Sequence, residues 1–270
     1  MRRKLLSAPY LVWILCGTLI PMAMVFYYGL TGDQGGFTLS NIAAIAETGH
    51  AKALWTSVLL SLVSTVICLL LAYPLGLILK KSGMGQKGLL VFLFVLPMWM
   101  NFLLRTMAWQ VLLEKKGVIN TILQSLGFSG LRLINTPAAI VMGMVYDFLP
   151  FMVMPIYNVL AKIDDRVIEA ARDLGANNFQ VFRYIILPLS VPGIVSGVTM
   201  VFVPALTTFV ISNMLGGGKI LLIGNVIEQE FTVGNNWHLG AGLSLVMMIF
   251  ILVSMAFIAK FDKNGEGNTF

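Results

Sequence analysis

Two charged side chains lie inside long apolar stretches of this sequence, and they are the first candidates for chemistry. Asp147 is the only charged residue of residues 137–160, and Arg105 is the only charged residue of residues 89–113. A charge in an apolar environment either binds an ion of opposite charge or forms a structural ion pair. At the rise of an α-helix the two residues lie roughly 15 Å and roughly 12 Å from the outer ends of their stretches. The sequence leaves three roles open for Asp147: contact with a cationic cargo, an ion pair with Arg105, or exposure to a water-filled cavity.

Two glycine-rich segments resemble phosphate-binding loops but lack the context that such loops need. Residues 83–88 match G-x-G-x-x-G without a preceding strand or a soluble βαβ unit. In residues 216–219 the lysine is followed by isoleucine rather than by Ser or Thr. We therefore predict that the chain has no nucleotide site and is not itself an enzyme. If the chain takes part in active transport, the energy must therefore come from a partner protein or from an ion gradient.

The cysteines and histidines do not form a metal-binding pattern. Cys16 and Cys68 fall in apolar stretches, where a cysteine behaves as a small hydrophobic residue. His50 and His238 lie in different loops, with no further ligands close by in the sequence. We predict no metal site and no cofactor in this chain.

The composition places these side chains in a membrane protein. Of the 270 residues, 58% are apolar and 11% are charged, whereas soluble domains contain about 45–50% apolar and about 25% charged residues. These values exclude most cytosolic enzymes, disordered chains and disulfide scaffolds. An apolar helix of about 20 residues crosses a bilayer, and six such spans are predicted: 9–30, 54–79, 89–113, 137–160, 185–212 and 239–259. The predicted fold class is an all-α integral membrane protein with a single domain, residues 1–270.

The basic residues are distributed unevenly between the two sides of the membrane. If both termini are cytoplasmic, 12 of the 18 basic residues lie on the cytoplasmic side and five on the other side. Cytoplasmic loops of membrane proteins carry an excess of Lys and Arg. We therefore predict a multi-pass protein of the cell membrane with both termini in the cytoplasm. The net charge of +6 is attributed to this orientation, and no nucleic-acid partner is expected.

Residues 161–184 form a cytoplasmic loop that is too long for a simple linker. Asp165 is the predicted N-cap of a short helix, and Gly175 is the predicted stop, because glycine tolerates the left-handed conformation that follows a helix. One narrow apolar stripe recurs at helical spacing, and its members are Val167, Ala170, Ala171 and Leu174.

A second helix is predicted directly after this glycine. Asn177 and Gln180 form a capping-box pattern, and the helical periodicity then continues into the span 185–212. A force on the short helix would therefore pass to the helical bundle. A surface helix that lies on the lipid headgroups would show the same pattern, and the periodicity leaves both interpretations open.

The same loop contains residues spaced as in a known motif. Glu169-Ala170-Ala171 is followed after three residues by Gly175, and after nine more by Ile185-x-Leu187-Pro188. This pattern resembles the EAA loop of ABC-importer permeases at seven positions over 20 residues, without a gap. The resemblance implies the type I ABC-importer permease fold and a coupling helix that docks in a groove of an ATP-hydrolysing subunit.

A narrower resemblance covers most of the chain. Segments 149–155, 169–176 and 221–227 are similar to those of spermidine/putrescine permeases, as are the length and the six-span layout. This resemblance implies ATP-driven polyamine import by alternating access. It also implies a second related permease subunit, two copies of an ATP-binding subunit and an extracytoplasmic polyamine-binding protein as partners, in addition to the lipid bilayer.

A polyamine would need carboxylates, carbonyls and aromatic faces along its route. The candidates for such a route are Asp147, Trp99, Asn101, Trp109, Tyr146, Tyr157, Thr208, Glu228 and Glu230. Each also has a structural explanation. Membrane aromatic residues commonly anchor or pack helices, small polar residues pack helices, and paired acids in loops are commonly only solvated.

Two other functions remain open from the residues. One is the same kind of subunit for another solute, such as sulfate or a metal ion. The other is an ion-coupled secondary transporter, a class that shows inverted repeats or carboxylates at an ion site. Neither feature is visible in the sequence, and association with an ATPase would separate the two classes.

Overall fold

Helices form the regular structure of the described part of the chain. The computed structural model describes residues 8–32, 34–81 and 96–266. Within these ranges lie thirteen α-helices: α1 Ala8–Ile14, α2 Ile20–Leu30, α3 Ser40–Ala43, α4 Thr48–Lys81, α5 Phe102–Leu113, α6 Val118–Ser125, α7 Pro137–Leu160, α8 Asp165–Asp173, α9 Asn178–Val181, α10 Leu187–Thr207, α11 Val210–Leu215, α12 Ile223–Thr232 and α13 Trp237–Glu266. Two π-helical turns, Leu15–Leu19 and Phe182–Ile186, join α1 to α2 and α9 to α10.

Five helical segments of the described ranges are long and apolar enough to cross a membrane. They are Val12–Leu30, Thr48–Lys81, Pro137–Leu160, Asn178–Thr207 and Trp237–Lys260. Each overlaps one of the six predicted spans. For the remaining predicted span, 89–113, the structure describes only residues 96–113.

Two predicted spans are not continuous helices in the structure. Within 89–113, the 3₁₀ turn Leu96–Trp99 and helix α5 are separate elements. Within 185–212, α10 ends at Thr207 and the backbone of Thr208 is extended, with φ −66° and ψ 137°. Pro204 has no N–H to donate within the last turns of α10, which weakens the helix shortly before it ends.

The chain divides into two compact units, and the larger comprises residues 55–222 and 253–270. Its core surrounds α7, which packs against α10 through two glycines. A Cβ atom at Gly193 would lie 2.9 Å from the carbonyl oxygen of Pro155, and one at Gly197 would lie 3.2 Å from that of Met152. The Gly-x-x-x-Gly spacing therefore brings two helix backbones into close contact, as is common between membrane helices.

Helix α4 packs against both of these helices. A Cβ atom at Gly76 would lie 3.2 Å from side-chain atoms of Ile156 and Leu160 on α7. The hydroxyl groups of Tyr73 and Ser190 are 2.8 Å apart and connect α4 to α10. These contacts fix the C-terminal end of α4 beside the end of α7, from which the loop to α8 leaves.

The smaller unit comprises residues 1–54 and 223–252. Here α2 packs closely against α13 at Gly29, where a Cβ atom would lie only 3.2 Å from the carbonyl group of Ala241. The His238 ring nitrogen Nδ1 lies 2.6 Å from the carbonyl oxygen of Thr31. Asn41 donates to the same oxygen at 2.9 Å. These polar contacts thus connect the residue after α2 to the first turn of α13 and to α3.

Candidate functional site

Helix α8 begins at an aspartate that caps it, one residue earlier than the sequence predicted. The carboxylate of Asp164 accepts a hydrogen bond from the backbone N–H of Arg166 at 2.9 Å, so the N-cap is Asp164. The prediction of Asp165 as the N-cap was therefore wrong. Asp165 is instead the first helical residue, where its negative charge still favours the helix dipole.

The apolar stripe of α8 is directed away from the core of its unit. Leu174 is 90% exposed and Val167 is 47% exposed. Ala170 is exposed and Ala171 half-buried, whereas Ile168, on another face of α8, packs against the core. Helix α8 therefore has an exposed apolar face, while Ile168 on another face contacts the core of the unit.

The bend after α8 has the geometry that the sequence predicted. Gly175 has φ +87°, the left-handed conformation in which a side chain is strained. Asn177 and Gln180 form a reciprocal capping box, with N–H to side-chain oxygen distances of 2.8 and 2.9 Å. A rigid turn therefore links α8 to the helix that continues into α10.

The remaining residues of the predicted coupling motif lie around α8 and at the start of α10. Glu169 is exposed and lines a cleft beside α4, while Ile185 and Leu187 are half-buried. Pro188 is in the first turn of α10 and is exposed. Because proline has no N–H, it cannot bond the carbonyl of Tyr184 four residues earlier, which accounts for the wider π-helical turn just before it.

The intramembrane charges meet in the larger unit. Arg105 Nη2 lies 3.3 Å from Asp147 Oδ1, and the two side chains are 7% and 2% exposed. Thr106 donates a hydrogen bond to Asp147 Oδ2 at 3.4 Å. Arg105 Nε and Nη1 and Asp147 Oδ1 have no hydrogen-bond partner among the described residues. The pair is therefore compensated in charge but incompletely hydrogen-bonded.

Aromatic rings border this ion pair. The Arg105 guanidinium carbon lies 5.9 Å from the centroid of the Tyr146 ring, within the range of a cation–π interaction. Tyr146 is 37% exposed and meets Trp109 edge to face, with centroids 5.3 Å apart. Of the residues predicted for a cation route, Tyr146 and Asp147 are neighbours in the sequence, and both side chains contact Arg105.

The other candidates in the larger unit occupy structural positions. Tyr157 is 9% exposed and belongs to the hydrophobic core, so its predicted place on an open route is not realised in this conformation. Asn101 caps α5 by accepting from the backbone N–H groups of Leu103 and Leu104. Trp99 is 73% exposed, and Thr208 is half-buried at the end of α10.

Glu228 and Glu230 lie on α12 in the smaller unit, not in an irregular loop. Both are half-buried, and the Glu228 side chain accepts a hydrogen bond from the Thr232 hydroxyl at 3.3 Å. The helical spacing places them two residues apart, so they point in different directions. They do not form the paired acidic patch that the sequence suggested.

The glycine-rich segments contribute no phosphate loop to the described structure. Residues 83–88 lie outside the described residues. Gly217 and Gly218 have φ values of +60° and +68°, and form a turn after α11. In the described part of the chain, no three His, Cys, Asp or Glu side chains are grouped as metal ligands.

The structure adds residues that the sequence did not identify. Thr106 joins the ion pair, and Lys80 binds the beginning of α8. Thr106 follows Arg105 directly, but the sequence does not show which residue next to Arg105 faces Asp147 on α7. Lys80 and Lys81 are adjacent in the sequence, and only the packing of α4 distinguishes them.

Comparison with known proteins identifies the class of this bundle. The family model described as "Binding-protein-dependent transport system inner membrane component" matches residues 72–264, which include the ion pair, α8 and the glycine bend. The chain belongs to this family. It is thus a permease subunit of the ABC-importer class, and the alternative of an ion-coupled secondary transporter is set aside.

Curated members of the family resemble this permease over most of its length. It is 40% identical to the spermidine/putrescine transport system permease protein PotB of Haemophilus influenzae in an alignment of 263 positions that covers 93% of this chain and 92% of that protein. It is 38% identical to PotB of Escherichia coli in an alignment of 245 positions that covers 88% of this chain and 89% of that protein.

Solved structures show the same fold at low sequence identity. A chain of a bacterial alginate ABC transporter, in complex with an alginate-bound periplasmic protein, matches the permease with a TM-score of 0.78. The match has 18% identity and covers 95% of this chain and 93% of that chain. A chain of the MetNI methionine ABC transporter matches with a TM-score of 0.54 and 19% identity, over 82% and 96% of the two chains. The fold is that of type I ABC-importer permeases.

Proposed function

We propose that this chain is one of two permease subunits of an ATP-driven polyamine importer. A solute-binding protein outside the membrane delivers spermidine or putrescine, and two copies of an ATP-binding subunit drive alternating access. ATP is hydrolysed in those partner subunits, and this chain supplies the membrane passage and the surface through which the movement is transmitted. Both of its termini lie in the cytoplasm.

The polyamine assignment is supported by similarity over nearly full length. The relatives named spermidine/putrescine permeases match at 38–40% identity and cover 88–93% of this chain. Arg105, the cation that the sequence placed within a predicted span, is paired with Asp147, which makes it less suited to binding an anion such as sulfate.

The transmission surface is supported by the exposure of α8. Its outer face is apolar at Val167, Ala170 and Leu174, and such a face on an otherwise polar helix is typical of a protein contact. Leu174, at 90% exposure, is the single observation that carries this assignment. A large apolar side chain so fully exposed at the end of a capped helix is well placed to enter a pocket of a partner.

Substitution of Leu174 by Glu tests the docking surface, because a charge cannot enter an apolar pocket of the ATP-binding subunit. We expect the amount of ATP-binding subunit that co-purifies with the variant to fall at least about tenfold, as expected for truncation or disruption of an interface hot spot. Leu126→Glu is the matched control, since Leu126 is 68% exposed and lies after α6, on the predicted outer side. Equal retention of the subunit by both variants would contradict the assignment.

The solute is tested separately, with the complete transporter in proteoliposomes. ATP hydrolysis should rise when the binding protein is added with spermidine or putrescine, and should not rise with sulfate or with divalent metal ions. Stimulation by one of these other solutes instead would exclude a polyamine importer, even if the docking experiment succeeds.

A further inference from the structure

Lys80, in the last turn of α4, holds the segment that leads into α8. Its ammonium group donates a hydrogen bond to the carbonyl oxygen of Ile163 at 2.9 Å. The same group lies 3.1 Å from Asp165 Oδ1. The Lys80 side chain is 17% exposed, whereas that of Asp165 is 75% exposed. One partly buried cation thus contacts both the turn before α8 and its first residue.

The electrostatics of the two helix ends favour this contact. A cation is favourable near the C-terminal end of a helix, where Lys80 lies on α4. An anion is favourable near the N-terminal end, where Asp165 lies on α8. An ion pair with one exposed partner contributes little to stability. Its main consequence is therefore positional, because it fixes where α8 begins relative to α4.

The base of this contact is held rigidly. Gly76, one turn before Lys80, allows α4 to lie directly against Ile156 and Leu160 near the end of α7. Leu79 is 3% exposed and Leu160 is fully buried, so the ends of both helices are packed. Any displacement of the start of α8 is therefore passed to a close-packed helix pair and not to a loose chain end.

A cleft of about 380 Å³ beside this contact separates the rest of α8 from α4. Residues of α4, of α8 and of the turn before α10 line it: Leu77, Lys80, Lys81, Asp165, Ile168, Glu169, Arg172 and Ile186. The cleft therefore lies between α4 and part of α8, while Ile168 packs against the core and Lys80 contacts Asp165, the first residue of α8. At its other end α8 is joined to α10 through the bend at Gly175.

We propose that Lys80 is a positioning residue for coupling, through which movement of α8 reaches α4 in addition to α7 and α10, the two helices to which the chain joins it. The proposal rests on the proposed function, in that α8 is the helix moved by the ATP-binding subunit. Helix α8 is then attached at both ends: its first turn is held to α4 by Lys80, and its last residue is joined to α10 through the bend at Gly175. Without Lys80, α8 still docks through Leu174, but its movement reaches only α7 and α10, to which the chain joins it, and not α4.

The test compares Lys80→Met with Lys81→Met in the complete transporter. Lys81 is the neighbouring residue, has the same charge and is exposed, so its substitution controls for the loss of one positive charge on this side. We expect both variants to retain the ATP-binding subunit and basal ATP hydrolysis. Polyamine uptake per ATP hydrolysed should fall at least about fivefold in Lys80→Met alone, the lower end of usual coupling between two sites. Lys80→Arg should recover most of the coupling.

Two results would overturn the proposal. One is an unchanged ratio of uptake to ATP hydrolysis in Lys80→Met, and the other is an equal fall in Lys80→Met and Lys81→Met. If Lys80→Met fails to assemble, Asp165→Asn removes the partner charge at an exposed position and must show the same loss of coupling. Retained coupling in Asp165→Asn would then also contradict the proposal.

A second measurement does not depend on the solute. Amide hydrogen exchange over residues 163–173 of the assembled transporter should be faster in Lys80→Met than in Lys81→Met, because the start of α8 loses its attachment. Equal exchange in the two variants contradicts the role of Lys80, whatever solute is transported. Failure of polyamines to stimulate the wild-type transporter, by contrast, contradicts the proposed function and leaves this comparison interpretable.

Discussion

Asp147 and Arg105 show how this bundle accommodates charge. Each side chain is more than nine-tenths buried, and each lies beside the other with incomplete hydrogen bonding. Removing one partner of such a pair leaves an uncompensated buried charge, whereas replacing both leaves none. The geometry therefore favours the structural ion pair among the three roles that the sequence left open for Asp147.

At the residue scale, we predict that Asp147→Asn destabilises the permease by about 3–5 kcal/mol, as measured for broken buried pairs. The double variant Arg105→Gln, Asp147→Asn should recover most of this loss, because neither charge remains. The measurement is the fraction of permease that stays folded in detergent on heating, together with uptake of labelled spermidine.

The double variant also decides whether Asp147 contacts the cargo. If the pair is only structural, the stable double variant should transport spermidine at close to the wild-type rate. A double variant that is as stable as wild type but does not transport would assign Asp147 to the cargo route, next to the rings of Tyr146 and Trp109.

At the scale of elements, the connection between α8 and α10 depends on one backbone conformation. Gly175 has φ +87°, and a Cβ atom there would meet no other atom within 4 Å. A substitution at this position therefore acts through backbone strain and not through a clash. The strain of a β-branched residue in the left-handed region, at least about 1–2 kcal/mol, would shift the bend toward other conformations.

We therefore predict that Gly175→Val abolishes uptake while the protein remains in the membrane. Gly127→Val is the matched control, since Gly127 has φ +84° and is likewise free of neighbours, but lies after α6 and far along the chain from α8. Uptake should persist in the control. Similar uptake by both variants would show that the bend at Gly175 does not transmit movement.

At the scale of the whole molecule, orientation in the membrane is the prediction on which the others depend. The distribution of basic residues places α8 in the cytoplasm and the turn after α11 outside. Single cysteines at Asp173 and Lys219 test it, because both positions are exposed. Gly217, in the same turn, is a less suitable position for a cysteine, because a Cβ atom there would overlap the side chain of Asn135.

The labelling needs a background without native thiols, since Cys16 is exposed and Cys68 is buried. An impermeant thiol reagent added to intact cells should label the cysteine at 219 and leave that at 173 unlabelled until the membrane is opened. Labelling of the cysteine at 173 in intact cells would reverse the orientation and would remove α8 from the reach of a cytoplasmic ATPase.

The sequence by itself determined the local features of this permease. Apolar length predicts helices that cross a membrane, because backbone groups must be bonded within the segment in lipid. Gly175 and the pair Asn177 and Gln180 predicted the bend after α8 correctly, because caps and left-handed residues depend on neighbours only a few positions away. The position of α8 was predictable for the same reason.

Only the tertiary structure decided which distant side chains meet. Helical spacing showed that Arg105 and Asp147 could be at similar depth, but the rotation of α5 and α7 about their axes determines that they pair. The same rotation buries Tyr157 in the core and turns Lys80, not Lys81, toward the start of α8. The places of Tyr157 and Lys80 depend on the packing of α4 and α10 against α7 at Gly76, Gly193 and Gly197. There the fit of two helix surfaces, and not the periodicity of either one, sets the contact.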